Sequence, residues 1–238
     1  MWKGKTVSVV LASYREKDSI REVIDGFFAT GLVDDVIVVD NNAEPGSAEE
    51  VQKTKAKLVF EKKQGQGFAL QRGMREAQGD YVVLCEGDGT YVPADIEKFL
   101  VYGERFPVVF GTRTNTSTIG PDAGLFFLRR VADIFEAKVI EMRFRSHRLT
   151  DIGCTYKLLH QDVIRMMDGQ WIKGDSHFVT EMTLQVAARR IPFIEIPVSF
   201  VKRVGVSSVT DDIGKIMKWG WKLLFFIMTF RLPSKTSV

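Results

Sequence analysis

The sequence predicts an α/β fold, a mostly parallel, doubly wound sheet with helices on both faces. Three observations predict it. Short β-branched runs alternate with amphipathic stretches through the first half of the chain. The links between them are short, as expected when crossover helices join parallel strands. Each apolar run also ends on charged or polar residues. Side chains able to do chemistry therefore collect at the carboxyl edge of the sheet, where open α/β sheets bind ligands.

The elements follow in order. Residues 6–12, Thr-Val-Ser-Val-Val-Leu-Ala, read as a buried strand. A helix over 18–30 places Ile20, Val23, Ile24, Phe27 and Phe28 at helical spacing, with Asp18 or Ser19 as its cap. A second strand, 36–39, ends at Asp40-Asn41-Asn42. A helix over 48–55 and a strand over 57–60 come next. The loop Gln64-Gly65-Gln66-Gly67 leads into a helix over 68–77. A fourth strand, 81–85, ends at Glu86-Gly87-Asp88-Gly89. Pro93 opens a helix that runs to Tyr102, and a fifth strand, 108–110, ends at Gly111-Thr112-Arg113. The second half is less regular. It reads as a long helix over 125–144, strands over 151–159 and 193–201, and a helix over 180–190 between those strands. No repeat or Pro/Ser-rich linker divides the chain, so residues 1–210 are expected as one domain, followed by a C-terminal helix within 211–238.

Composition excludes several classes. Of 238 residues, 45% are hydrophobic and 26% charged, the balance of a folded globular chain. A net charge of +3 gives no argument for nucleic acid as a partner. Cys85 and Cys154 form no disulfide framework or zinc spacing, which fits a reducing compartment. His147, His160 and His177 lack metal-ligand spacing. The N-terminus shows no signal-peptide pattern, so a cytoplasmic location is expected. No apolar run reaches the roughly 20 residues of a membrane span. The run 219–232 is strongly apolar and is bordered or interrupted by Lys215, Lys218, Lys222 and Arg231. It reads as a helix lying in a membrane surface or packing on a partner, and would serve a homo-oligomer equally well; an ordinary C-terminal helix packed on the core is the other reading. Arg129, Arg130, Arg143, Arg145 and Arg148 sit where they can meet anionic headgroups or a lipid phosphate.

The candidate chemistry lies at the strand ends. Glu86-Gly87-Asp88 places two carboxylates one residue apart, a set that can hold Mg²⁺ together with substrate phosphates; an acidic turn is the other reading. Asp40, Tyr14 and Glu16 either fix local turns or meet a base and ribose. Gly65-Gln66-Gly67 before a helix resembles half of a phosphate cradle or is a simple loop with glycine at a helix entry; Leu70 stands at the fingerprint's next glycine position, so no dinucleotide motif is met, and no P-loop is present either. Arg203 beside Gly205 suits a diphosphate or is a solvated loop arginine.

Together these segments resemble the family 2 inverting glycosyltransferases of GT-A fold, in particular those acting on dolichyl and other polyprenyl phosphates. The resemblance runs from residue 6 to 208. Residues 9–16 resemble the first strand and its Tyr-Asn-Glu turn, with Arg15 where Asn is usual. Residues 36–42 resemble the strand that ends in the base-binding Asp. Residues 65–79 resemble the glycine-punctuated helix, and Glu86-Gly87-Asp88 resembles the Asp-x-Asp motif with Glu first. Gly111-Thr112-Arg113 resembles a Gly-Ser-Arg, and 151–158 resemble the acceptor-side Asp-x-x-x-Gly-Phe-Arg segment. Glu195 to Phe200 and Arg203 to Ser207 resemble the closing motifs, with Ser208 where lysine is usual.

The resemblance implies roles. Ser13, Tyr14, Glu16, Asp40, Asn42, Lys63 and Gly67 would line a nucleotide diphosphate sugar, with Gly87 beside them. Glu86 and Asp88 would bind Mg²⁺ or Mn²⁺, and Arg203 would clamp the phosphates. Arg113, Arg129, Asp151 and Lys157 would face a polyprenyl phosphate acceptor at the cytoplasmic face of a membrane. For a hydroxyl acceptor instead, Asp151 or Glu181 would be the base; Glu181 is otherwise a helix surface residue paired with Arg189 or Arg190. A non-catalytic nucleotide-sugar- or lipid-binding subunit is the rival from another class.

Overall fold

The computed structural model describes residues 1–120, 127–202 and 213–233. Seven strands form one sheet: β1 (Val7–Ser13), β2 (Asp35–Asp40), β3 (Lys57–Phe60), β4 (Tyr81–Glu86), β5 (Val108–Thr112), β6 (Lys157–His160) and β7 (Phe193–Pro197). Their spatial order is β3-β2-β1-β4-β6-β5-β7. All pairings are parallel except those of β6, which runs antiparallel to both β4 and β5. The mostly parallel sheet predicted from the sequence is therefore present.

The helices are α1 (Ile20–Ala29), α2 (Ser47–Gln52), α3 (Gln66–Glu76), α4 (Ile96–Gly103), α5 (Phe127–Phe144), α6 (Gln161–Met167), α7 (Phe178–Ala188) and α8 (Ile213–Thr229). They build two cores, one on each face of the sheet. Ile20, Ile24 and Phe27 of α1 pack with Phe99 and Leu100 of α4 and with Val7, Val9 and Leu11 of β1. On the other face, Leu70 and Met74 of α3 pack with Ile140 of α5, Met182 of α7 and Leu223 of α8, against Val10, Leu84 and Phe110. Neighbouring residues of one strand thus enter opposite cores, which is why β1, β2 and β4 read as unbroken apolar runs.

Two predicted strands are shorter than expected. Residues 151–156 are irregular, and the strand begins only at Lys157. The backbone N–H groups of Thr150 and Asp151 bond to Glu195 Oε1, both at 2.9 Å, and so are engaged by a carboxylate rather than a ladder. The last strand ends at Pro197, and the chain then pairs irregularly: Phe200 N donates to Thr118 O at 2.9 Å and Val201 N to Thr90 O at 2.9 Å. The short helix α6, unassigned from sequence, buries Val163, Ile164 and Met167.

The reversal of β6 positions the site. Parallel strands β1, β2, β4 and β5 all end at one sheet edge. An antiparallel strand starts there, so the segment before β6 arrives at the same edge as Asp40, Glu86 and Arg113.

Candidate active site

On one side of the edge stand the turns after β1, β2 and β4. Ser13, the last residue of β1, is buried, and its hydroxyl has no hydrogen-bond partner among the described residues. Beyond it, Glu16 turns back on its own loop: Oε2 accepts from Tyr14 N and from Arg15 N, the latter at 2.7 Å. Tyr14 is exposed, with the Arg15 guanidinium 5.1 Å from its ring centroid. Asp40 Oδ1 accepts from Ala43 N at 2.8 Å. Asn42 takes a left-handed φ of 57° and donates to Gln64 Oε1 at 3.0 Å.

Asn41, absent from the candidate site residues, is the latch of this side. Its amide donates to Glu61 O at 3.0 Å and Lys63 O at 2.8 Å, while its Oδ1 accepts from Gly65 N at 2.7 Å. Lys63 itself places its ammonium 5.5 Å from the Phe68 ring centroid.

The carboxylates at the end of β4 are held firmly. Asp88 is 1% exposed, and its Oδ1 accepts from Thr90 N at 3.0 Å and Thr90 Oγ1 at 2.6 Å. Glu86 Oε1 accepts from Thr155 Oγ1 at 2.7 Å and Gln66 Nε2 at 3.2 Å. Gly87 O accepts from Ser19 Oγ at 2.8 Å. Ser19 stands at the cap position of α1, but its hydroxyl fixes this turn rather than the helix. A Cβ at Gly87 would lie 2.5 Å from Ile20 Cδ1, so a side chain there would push the tip of Ile20 on α1 aside.

Across the edge, Arg113 and Asp151 form a buried, two-pronged ion pair. Arg113 Nε donates to Asp151 Oδ2 at 2.8 Å and Nη2 to Oδ1 at 2.9 Å, and Arg113 N adds a third bond at 2.9 Å. Burial pushes the Asp151 carboxyl upward, but the Arg113 charge and these bonds outweigh it and hold it well below the usual carboxylate range. Behind the pair, Glu195 fixes residues 150 and 151, and Thr150 Oγ1 donates to Glu195 Oε2 at 2.6 Å. The hydroxyls of Thr112, Thr114 and Thr150 lie within 2.8 to 2.9 Å of one another.

Residues 8–165 match the glycosyl transferase family 2 domain. The chain belongs to glycosyl transferase family 2. It is 26% identical over 221 residues to glycosyltransferase AglJ of Haloferax volcanii, covering 87% of this chain and 66% of that protein. It is also 26% identical over 178 residues to the undecaprenyl-phosphate 4-deoxy-4-formamido-L-arabinose transferase of Pectobacterium atrosepticum, covering 68% of this chain and 51% of that protein. The chain thus spans about half to two-thirds of the length of these curated relatives. Among solved structures, it resembles glucosyl-3-phosphoglycerate synthase of Mycobacterium tuberculosis in complex with Mn²⁺, UDP and phosphoglyceric acid. The TM-score is 0.72 and the identity 17%, over 98% of this chain and 81% of that one. That likeness shows the GT-A fold.

Within this family 2 chain, the donor set at β4 suits a divalent cation. Glu86 and Asp88 offer oxygen ligands only, the type that Mg²⁺ and Mn²⁺ prefer. Among the described residues no group of three or more His, Cys, Asp or Glu gathers at one point. Two carboxylates fit a cation that shares its remaining ligands with a diphosphate.

Several expectations need correction. Packing alone is enough to require the glycine at Gly67: a Cβ there would lie 2.6 Å from Phe178 Cβ and 2.8 Å from Gly174 C. Its hydrogen lets α3 approach α7 and the 174–175 backbone. Lys157 does not reach out to an acceptor. It is buried, donates to Thr183 Oγ1 at 3.2 Å, and lies 4.1 Å from the Phe110 ring centroid. Burial depresses its pKa to about 8. Glu181 is neither exposed nor paired with Arg189 or Arg190 in an ion bridge. Fully buried, it accepts from Ile172 N at 2.8 Å, Lys173 N at 2.6 Å and Gln185 Nε2 at 3.0 Å, and desolvation raises its pKa. Arg203 and Ser208 lie outside the described residues, as does the side chain of Arg129.

Proposed function

We propose that this chain is an inverting glycosyltransferase that moves a sugar from a nucleotide diphosphate sugar to a polyprenyl phosphate, with Mg²⁺ or Mn²⁺ held at Glu86 and Asp88. The observation that carries the reading is the bond from Thr155 to Glu86. It joins the 151–156 segment directly to the carboxylate pair, so the part of the chain that resembles the acceptor side stands against the donor side.

In this reading Ser13, Tyr14 and Asp40 meet the base and ribose. The Ser13 hydroxyl keeps a hydrogen-bonding capacity that no atom of the described residues takes. A cation bound at Asp88 and Glu86 would neutralise the diphosphate as it leaves. Thr90 orients Asp88 for that task, and the Ser19–Gly87 bond fixes the turn. Arg203 is the further phosphate contact proposed from sequence. An acceptor phosphate oxygen attacks the anomeric carbon from the face opposite the diphosphate. A new C–O bond forms, the bond to the diphosphate oxygen breaks, and its electron pair departs with the nucleoside diphosphate.

The acceptor class follows from proton chemistry. A sugar hydroxyl needs a carboxylate to take its proton, whereas a phosphate is already ionised near neutral pH. Asp151 is locked to Arg113, and both Glu181 oxygens accept bonds from protein donors. Neither is poised as a base, which favours the phosphate. The relative from Pectobacterium atrosepticum is named for transfer to undecaprenyl phosphate, in keeping with this reading.

The test is nucleoside diphosphate release from a panel of UDP- and GDP-sugars, with Mn²⁺ and with or without a short polyprenyl phosphate. Release should require the lipid phosphate, fall on the order of 10²-fold or more in Asp88→Asn, and persist in Glu181→Gln. Release that ignores the lipid phosphate, or that survives in Asp88→Asn, would sink the reading. Loss in Glu181→Gln with donor binding intact would move the assignment to a hydroxyl acceptor.

A further inference from the structure

A glutamate is a looser ligand than an aspartate. Its carboxylate swings on one more side-chain bond, so holding it still costs more entropy. Asp88 is held locally: both donors of Thr90, two residues on, fall on one oxygen, Oδ1. Glu86 is held in the same manner, but from a distance. Thr155 Oγ1 donates to its Oε1 at 2.7 Å, and Gln66 Nε2 donates to the same oxygen at 3.2 Å. Two donors on one oxygen fix both the reach and the tilt of the carboxylate.

Both donors stand on backbone that is itself tied down. Gln66 opens α3. Gly65 N, just before it, donates to Asn41 Oδ1 at 2.7 Å, and Phe68 N, just after, donates to Gly174 O at 3.1 Å. Thr155 is 2% exposed and sits between two anchors. On one side Asp151 accepts from Arg113 and from Gly153 N. On the other, Tyr156 O accepts from Gly111 N at 2.9 Å, and the Tyr156 ring stacks on Phe99 with centroids 4.4 Å apart. The donors thus reach Glu86 from opposite sides of the sheet edge. Glu86 and Thr155 also each depart from the motif they resemble: Glu for the first Asp of Asp-x-Asp, and Thr for the Gly of Asp-x-x-x-Gly-Phe-Arg. An aspartate would fall one methylene short of the hydroxyl, and a glycine would offer no hydroxyl. The two departures complement each other.

We infer that Thr155 and Gln66 are positioning residues that aim Glu86 and thereby set the affinity for the divalent cation. Neither touches the cation in this account. Each acts through Glu86, and Thr155 makes the acceptor-side segment part of what holds the metal site in shape. The inference rests on the cation site of the proposed function and deepens it.

Binding of Mn²⁺ alone to the full chain, read as loss of the free-ion electron paramagnetic resonance signal, tests this apart from activity. Thr155→Val keeps the shape of the side chain and removes the hydroxyl; it should weaken Mn²⁺ binding on the order of tenfold. Thr155→Ser restores the hydroxyl and should bind within about twofold of the wild type, whereas Gln66→Leu, which loses the longer contact, should weaken binding by roughly threefold or more. Glu86→Asp should cost more in the wild type than in Thr155→Val, because the bond it forfeits is already gone there. Urea unfolding and circular dichroism of each variant separate a lost ligand geometry from a lost fold. Should Thr155→Val not fold, Gln66→Leu and the Thr155→Ser control decide. Wild-type Mn²⁺ affinity in folded Thr155→Val or Gln66→Leu, or a Thr155→Ser affinity as weak as that of Thr155→Val, would overturn the inference and leave the cation site standing. A folded wild type that takes up no Mn²⁺ would overturn the cation site, and the inference with it.

Discussion

The two sides of the carboxyl edge are built on different plans. At the ends of β1 and β2, Tyr14, Glu16 and Asp40 are partly or fully exposed, Glu16 and Asp40 are fixed by their own turns, and the buried Ser13 hydroxyl has no partner among the described residues. Around β5 and β7 the polar groups are answered by one another: the half-buried Glu195 holds Thr150 and Asp151, and the buried Asp151 holds the buried Arg113. Open polar atoms suit a ligand that comes and goes. Closed networks suit a scaffold that must not shift while it does so. The difference teaches that a polar residue at a strand end is not by that fact a ligand contact. What matters is whether its hydrogen-bonding capacity is already filled.

Substitutions can break or sharpen this contrast. The largest effect is expected for Asp151→Asn, which leaves the Arg113 charge buried without its counter-ion. A stability loss of about 3–5 kcal/mol is expected in urea unfolding at neutral pH. Because Arg113 holds the Asp151 pKa below its unfolded value near 3.9, the wild-type advantage is present above about pH 4 and is lost as pH falls through the folded value. A variant as stable as the wild type would mean that the closed plan has been misjudged.

Next comes Lys157→Met. A lysine at about 8 in the fold and about 10.4 in the unfolded chain binds its proton more tightly when unfolded. The buried charge therefore destabilises fully below about pH 8, and the penalty fades as pH rises toward 10.4. Relative to Lys157→Met, the wild type should gain about 3 kcal/mol across that window, read as the difference between two pH–stability curves. A flat difference would show that Lys157 keeps its ordinary proton affinity.

The smallest effect is expected for Ser13→Ala. Removing an unpartnered hydroxyl should change stability by less than about 1 kcal/mol, while affinity for UDP or GDP, measured by calorimetry, falls by about two- to tenfold. Unchanged affinity would place Ser13 with the scaffold.

The strand ends were legible in the sequence because each β-branched run stops at a polar cluster: Asp40, Glu86, Asp88 and Arg113 all stand where the pattern put them. The partnerships were not. Arg113 and Asp151 are joined only because β6 reverses the chain, and no local spacing records that. Glu181 reads as a surface residue because α7 carries Thr180, Thr183 and Gln185 around it. Those polar residues share no single face, and α7 is buried from Phe178 to Ala187. That lack of a solvent face was the signal available. Gly67 looked like a ligand glycine because a missing side chain looks the same in sequence whether a phosphate or Phe178 fills the space.

The reversed strand also sets an order of assembly during synthesis. β1, β2, β3 and β4 pair among themselves, so residues 7–86 can zip together as they emerge. Among the described residues, the other edge of β4 is filled by residues 157–160, and β5 pairs with β6 and β7. A nascent chain therefore carries a bare apolar edge on its central strand until β6 arrives. That edge is the stretch most in need of shielding while the chain is being made.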